Sequence, residues 1–263
     1  MNIDSWLKKA RTRIKALDAE LLLLFVIDQN DRAYIAAHPE YRLTKEDETM
    51  LNRLVELRQQ GMPVAYILGQ KEFYGRKFYV NQHVLIPRSD SEVIIEIAKK
   101  LKPAPKKILD VGTGSGILGI TLSLEFPLAR VSAIDVSQSA LFVASKNAIN
   151  LKARVDFLES DLLAGLPKKE KFDLIVANLP YVDISWPWRS KELAWEPGVA
   201  LYAGDGGLEL IKKFMHQARG RARYIILECD TCQHKYMVNF AKKLGFLHLE
   251  TRGFELVFEW KTN

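Results

Sequence analysis

Apolar residues recur at helical spacing along the first seventy positions and then break into short runs separated by longer amphipathic stretches. Asp18 to Asp28 contains an unbroken apolar run and predicts a buried helix, with a short helix at Asp31 to His38. Thr44 to Gln60 predicts an amphipathic helix that Thr44 can cap and Gly61 can end. Residues 1–70 thus read as a small helical bundle. Glu72 to Val80 places aromatic and β-branched residues on both sides of Gly75, which suits a short hairpin bridging two domains.

From Ser89 the pattern alternates. A helix to Leu101 precedes a strand at Lys107 to Val111, a helix from Gly116, a strand at Ala129 to Asp135 and a helix at Gln138 to Leu151. Strands follow near Arg154 to Leu158 and at Phe172 to Ala177, then a helix after Gly207, a strand at Tyr224 to Glu228 and a helix at Gln233 to Leu244. Such alternation predicts an α/β fold with a mostly parallel sheet covered on both faces. The closing runs, Phe246 to Glu250 and Phe254 to Trp260, are separated by a few residues including Gly253 and should pair antiparallel. The expected divisions are a helical domain at 1–70, a hairpin and linker at 71–88, and an α/β domain at 89–263.

An apolar content of 48% over 263 residues is enough to bury a core in each of two domains. The net charge of +6 favours an acidic partner such as RNA or a ribosome-associated protein, but no block of like charges concentrates it. The apolar run Leu21 to Ile27 is too short to span a bilayer, so a cytoplasmic protein without membrane contact is expected. Cys229 and Cys232 would supply half of a zinc site at best, and no metal is expected.

Gly112-Thr113-Gly114-Ser115-Gly116 joins a predicted strand to a predicted helix, at the sheet edge where open α/β folds bind ligands. From Gly114 the letters also satisfy G-x-G-x-x-G, a dinucleotide fingerprint that is weak alone. Charge separates the two readings. Asp110 beside the loop would oppose a pyrophosphate, whereas it would favour the sulfonium and ammonium of S-adenosylmethionine. Asp135, at the end of the next strand, can accept from both ribose hydroxyls of either cofactor, or serve as a helix N-terminal acid. Asp161 and Leu162 stand where an acid and an apolar neighbour could meet an adenine; the alternative for Asp161 is a loop acid that caps local amides.

The strand Phe172 to Ala177 ends in Asn178-Leu179-Pro180-Tyr181. An amide or exocyclic amine nitrogen is a poor nucleophile unless both N–H bonds are held so that its lone pair faces the electrophile. The Asn178 side-chain oxygen and the Leu179 carbonyl can supply the two acceptors. Pro180 stiffens the turn, and Tyr181 offers a ring face for a planar group.

These residues resemble the HemK-type, or PrmC-type, protein-(glutamine-N5) methyltransferases that modify class 1 release factors. The resemblance covers roughly residues 15–250 and is most specific in Pro63 to Gly69, Glu72 to Gly75, Phe78, Val80-Asn81 and Val84 to Arg88. Glu196-Pro197, Ala200-Leu201 and Gly204 to Gly207 look like the family's E-P-x-x-A-L-x-G-x-D-G segment. It implies a Rossmann-like class I methyltransferase sheet with an antiparallel last strand, preceded by a helical substrate-recognition domain and a hairpin. It also implies S-adenosylmethionine as methyl donor and a glutamine in a peptide chain release factor as acceptor. The donor would lie on Gly112 to Gly116, with Asp135 at the ribose and Asp161 and Leu162 at the adenine. Asn178 to Tyr181 would be the acceptor loop, with Leu179 where the family usually has a second proline. Ser89-Asp90-Ser91-Glu92 and Arg252 to Val257 also depart from the family's usual residues.

Two other readings compete. The N-L-P-Y tetrapeptide is shared with ribosomal RNA adenine dimethyltransferases, but those resemble a catalytic domain followed by a helical one, the reverse of the order here. A non-catalytic binding module with a degenerate donor site is opposed by the intact Gly112, Gly114, Gly116, Asp135 and Asn178. The expected partner is therefore a protein substrate, with no nucleic acid required and the chain acting as a monomer.

Overall fold

The structure, a computed structural model, describes residues 1–187 and 190–261. The chain divides into two compact units, Met1–Gln70 with Ser190–Trp195, and Lys71–Arg189 with Glu196–Asn263.

The first unit is helical: α1 (Ile3–Ala10), α2 (Ala16–Val26), α3 (Ala33–Ala37), α4 (Lys45–Gln59) and α5 (Val64–Leu68). Ile3, Trp6 and Leu7 of α1 pack with Leu22 and Leu23 of α2 and with Leu51, Leu54 and Val55 of α4. Thr44 and Asp47 form the reciprocal cap of α4, each side chain accepting from the other's backbone N–H, which satisfies donors the first turn would leave unpaired. Arg58 of α4 donates to Asp18 at 2.6 Å and also to Glu192, tying Ser190–Trp195 to the bundle.

A two-stranded hairpin, β1 (Gln70–Phe73) and β2 (Arg76–Tyr79), starts at the last residue of the first unit and lies otherwise in the second. Phe73 and Phe78 are fully buried in the core of this unit, so the hairpin is part of the α/β body. Then follow α6 (Glu92–Lys100), β3 (Lys107–Val111), α7 (Ile117–Glu125), β4 (Arg130–Asp135), α8 (Gln138–Leu151), β5 (Val155–Glu159) and β6 (Phe172–Ala177). The chain closes with α9 (Gly204–Gly207), a single turn with Asp205 and Gly206 at left-handed angles, α10 (Glu209–Ala218), β7 (Ala222–Glu228), α11 (His234–Leu244), β8 (Phe246–Arg252) and β9 (Glu255–Trp260).

Strand order is β5-β4-β3-β6-β7-β9-β8, parallel except for β9, which runs antiparallel to both neighbours. The expected mostly parallel sheet with an antiparallel last strand is borne out. Alternation along the strands builds two cores. Leu109, Val111, Ile175 and Ala177 pack towards α10 and α11, while Ile108, Leu174 and Val176 pack towards α6, α7 and α8. The strand order reverses between β3 and β6, where Val111 lies opposite Ala177. The loops leaving these strands therefore start side by side at the carboxyl edge, the place where such sheets bind ligands. No helix among the described residues is long and apolar enough to cross a membrane.

Candidate active site

A cavity of about 390 Å³ opens at this strand-order reversal. Its wall includes Gly112, Thr113, Gly114 and Ser115 after β3, Asp135 after β4, Asp161 and Leu162 after β5, and Asn178, Leu179 and Pro180 after β6. The loops singled out in the sequence thus converge on one space, within the 300–1,000 Å³ usual for small-molecule sites.

Gly112, Gly114 and Gly116 all have positive φ, so the loop turns back on itself in a way side chains resist. A Cβ on Gly112 would lie 2.9 Å from Leu179 Cδ2, which shows how closely the two loops pack. Leu179 is buried and fills that contact. A Cβ on Gly116 would meet Ile120 at 2.7 Å and Ala144 at 3.1 Å; its missing side chain lets α7 pack on α8.

Asp135 stands at the wall with both oxygens engaged by backbone N–H groups, Gly114 on Oδ2 and Ser137 on Oδ1, each at 2.9 Å. Burial raises its pKa and these donors oppose the rise. Asp161 is exposed and accepts from Lys213 at 2.6 Å, an ion pair on the cavity wall.

Three expected site residues lie off the wall. Asp110 is buried beneath the loop, because the pleat turns it to the same face as Ile108, under α7. Its Oδ2 accepts from Thr113 Oγ1 at 2.6 Å and Gly119 N at 2.8 Å, and Oδ1 has no partner among the described residues. Burial pushes its carboxyl up to about 6. From there it holds the shape of the glycine loop through Thr113 and Gly119. Gly116 caps α7 behind the loop. Tyr181 packs against the α10 and α11 core, with its hydroxyl donating to Glu228 Oε1 at 3.2 Å. Burial, the Glu228 charge and the hydrogen bond to it raise the Tyr181 pKa, so the phenol stays protonated.

Other wall residues carried no signal as site residues. Val84, Leu85, Pro87 and Arg88 of the linker line the cavity, held by Glu196. That buried carboxylate accepts from Ile86 N at 2.9 Å and from Arg88 at 2.6 Å. The Glu196-Pro197 and Ile86-Pro87-Arg88 motifs, far apart in sequence, are thus one structural device. Asn147 of α8 likewise joins β2 to the glycine loop, donating to the carbonyls of Tyr79 and Ser115 at 2.9 and 2.8 Å. Ser91, fully buried at the cavity's edge, accepts from Asn178 Nδ2 at 2.9 Å and donates to Glu228 Oε2 at 2.6 Å.

Residues 3–69 match the PrmC N-terminal domain family, and residues 90–186 match the Methyltransferase small domain family. A release factor glutamine methyltransferase of Koribacter versatilis is 40% identical, the match covering 80% of this chain and 76% of that protein. One of Dictyoglomus turgidum is 36% identical over 91% of this chain and 87% of its own length, and one of Bacillus subtilis 39% over 75% and 71%. Among solved structures, a T. thermophilus 16S rRNA methyltransferase superposes with a TM-score of 0.56 at 18% identity, covering 73% of this chain and 50% of that one. A methyltransferase from Pyrococcus furiosus gives 0.52 at 17%, covering 71% and 89%. The two structures share the fold of the α/β unit, and the sequence relatives go further: this chain belongs to the release factor glutamine methyltransferase family.

Proposed function

We propose that this chain transfers the methyl group of S-adenosylmethionine to N5, the side-chain amide nitrogen, of a glutamine in a peptide chain release factor. The observation that carries the reading is the convergence of the glycine loop and the Asn178-Leu179-Pro180 turn on one cavity, at the ends of two adjacent parallel strands. The acceptor follows from membership of the release factor glutamine methyltransferase family.

The residues present suit the donor. A Cβ on Gly114 would meet nothing within 4 Å, so the loop leaves open space at its tip. Each Asp135 oxygen accepts one backbone N–H, and a carboxylate offers about four lone-pair sites in all, so both oxygens can still receive a ribose hydroxyl. Asp161 and Leu162 border the remaining wall, where an adenine would find an acceptor and an apolar surface. When bound, the donor supplies a methyl carbon attached to a positively charged sulfur.

Asn178 Oδ1 and the Leu179 carbonyl would accept the two N–H groups of the substrate amide, turning its lone pair out of conjugation and towards that carbon. Pro180 fixes φ in the turn that carries both acceptors. Asn178 cannot take a proton, so the proton released on methylation leaves to water. Tyr181 would act as an anchor for this turn through Glu228. The helical unit carries part of the recognition of the release factor in this reading, the chain acts as a monomer in the cytoplasm, and no nucleic acid is required.

The test is to incubate the purified protein and labelled donor with release factor, with bare ribosomal RNA, or with neither. Label in a glutamine of the release factor alone is expected; label in RNA alone would overturn the assignment.

A further inference from the structure

Behind the acceptor turn, Asn178, Ser91, Glu228 and Tyr181 form one hydrogen-bonded line running from the cavity into the core. We propose that Ser91 and Glu228 are positioning residues that fix which way the Asn178 amide faces. This rests on the functional reading above and deepens it.

An asparagine side chain is nearly symmetric in shape, with an acceptor oxygen on one side and a donor NH₂ on the other. A site that must hold the N–H groups of a substrate amide works only with the oxygen forward; the flipped amide would set donor against donor. Shape alone does not choose between the two. The hydrogen-bond chemistry of the line does.

Glu228 is buried, 3% exposed, and as a carboxylate it can only accept. It takes the single hydroxyl hydrogen of Ser91 across 2.6 Å, leaving Ser91 Oγ able only to accept. The group 2.9 Å from that oxygen must therefore be the NH₂ of Asn178, which leaves Oδ1 as the side-chain atom not committed to Ser91. Tyr181 donates to the other oxygen of Glu228 at 3.2 Å, so both carboxylate oxygens are engaged and the polarity of the line is set.

Glu228 must keep its charge for this to hold, and its strand neighbour assists. Glu255 lies directly opposite Glu228 in the β7–β9 ladder and is equally buried, with no partner on either oxygen among the described residues. Burial and the Glu228 charge push the Glu255 carboxyl up to about 7. Asp90 adds negative charge to both carboxylates, and Tyr181 stays neutral. Two facing carboxylates do not both ionise easily. Burial raises the Glu228 pKa as well, but hydrogen bonds from Ser91, Tyr181 and Asn178 oppose that rise, whereas neither Glu255 oxygen has a hydrogen-bond partner among the described residues; the proton therefore settles on Glu255 and Glu228 remains the acceptor.

The experiment compares S91A, S91T and E228Q in steady-state methylation of purified release factor, with calorimetry of S-adenosylhomocysteine binding to each. S91A removes the link, and E228Q supplies an NH₂ that can donate to Ser91 and reverse the line. Both are expected to lose about 10- to 100-fold in kcat, the scale of a misplaced reacting group, with KM and nucleoside affinity within about twofold of the parent. S91T keeps the hydroxyl and should recover to within about fivefold. Undiminished kcat in S91A, no recovery in S91T, or a loss confined to KM would overturn the proposal. Failure of the parent protein to methylate a glutamine would instead refute the functional reading on which it rests.

Discussion

Asn178 and Asp135 share one cavity, and the proposed function gives them separable duties. Asn178→Ala removes an acceptor for the substrate amide without altering Asp135 or the glycine loop, so turnover should fall about 100-fold or more while donor affinity holds. Rapid-quench turnover and calorimetry on the same preparation check this, and unchanged turnover would remove the turn from the mechanism. Asp135→Ala should act the other way. A hydrogen bond to a charged group contributes about 1.5 to 3 kcal/mol, so donor binding should weaken by about 10- to 100-fold, and equal affinity would defeat the ribose assignment. Which loops line the cavity was legible from letter and position alone: glycines after a strand, an acid ending the next strand, an asparagine at a third. Which of them face the cavity was not. The sheet pleat, which the letters do not give in register, sends Asp110 under α7, and the half-buried Tyr181 ring packs against the core.

The elements show why distant motifs accompany these residues. Gly207 has φ +81°, and a Cβ there would fall 1.9 Å from the Tyr181 carbonyl oxygen, which Gln233 Nε2 also holds at 2.9 Å. Gly207→Ala must therefore displace the acceptor turn. Loss of activity together with a lowered melting temperature is expected, and a fully active, equally stable variant would contradict this packing. The β7–β9 pair makes a second forecast. The folded chain holds the Glu255 proton more tightly than the unfolded chain, whose carboxyl titrates near 4.5. This residue thus favours folding below that pH, and the contribution is lost as pH rises through about 7. Glu255→Gln should match the parent in urea unfolding at about pH 4 and exceed it by about 1 to 3 kcal/mol at about pH 8; equal stability at both values would contradict the buried pair. The strands and long helices were legible from periodicity, and the Thr44 cap from its place at the start of an amphipathic run; its reciprocal partner Asp47 came only with the structure. The helix Ile3–Ala10 was not singled out, although Ile3, Trp6, Leu7 and Ala10 share one face, because lysines and a short length obscure its period. The position of β9 between β7 and β8 depends on long-range pairing that no local pattern encodes.

For the molecule entire, the helical unit with Ser190–Trp195 and the α/β unit each have a core of their own, and the cavity belongs wholly to the second. The α/β class and the family were legible early, the first from alternation of strand and helix, the second from motifs such as Ile86-Pro87-Arg88 and Glu196-Pro197. What those motifs do became visible only when folding brought Glu196 onto the linker. The account rests on a donor cavity shared with the acceptor turn. A crystal structure of the protein with S-adenosylhomocysteine reads this directly: the ribose hydroxyls should sit on Asp135 and the sulfur should face the Asn178-Leu179-Pro180 turn. A nucleoside bound away from the glycine loop, or with its sulfur turned from Asn178, would contradict it.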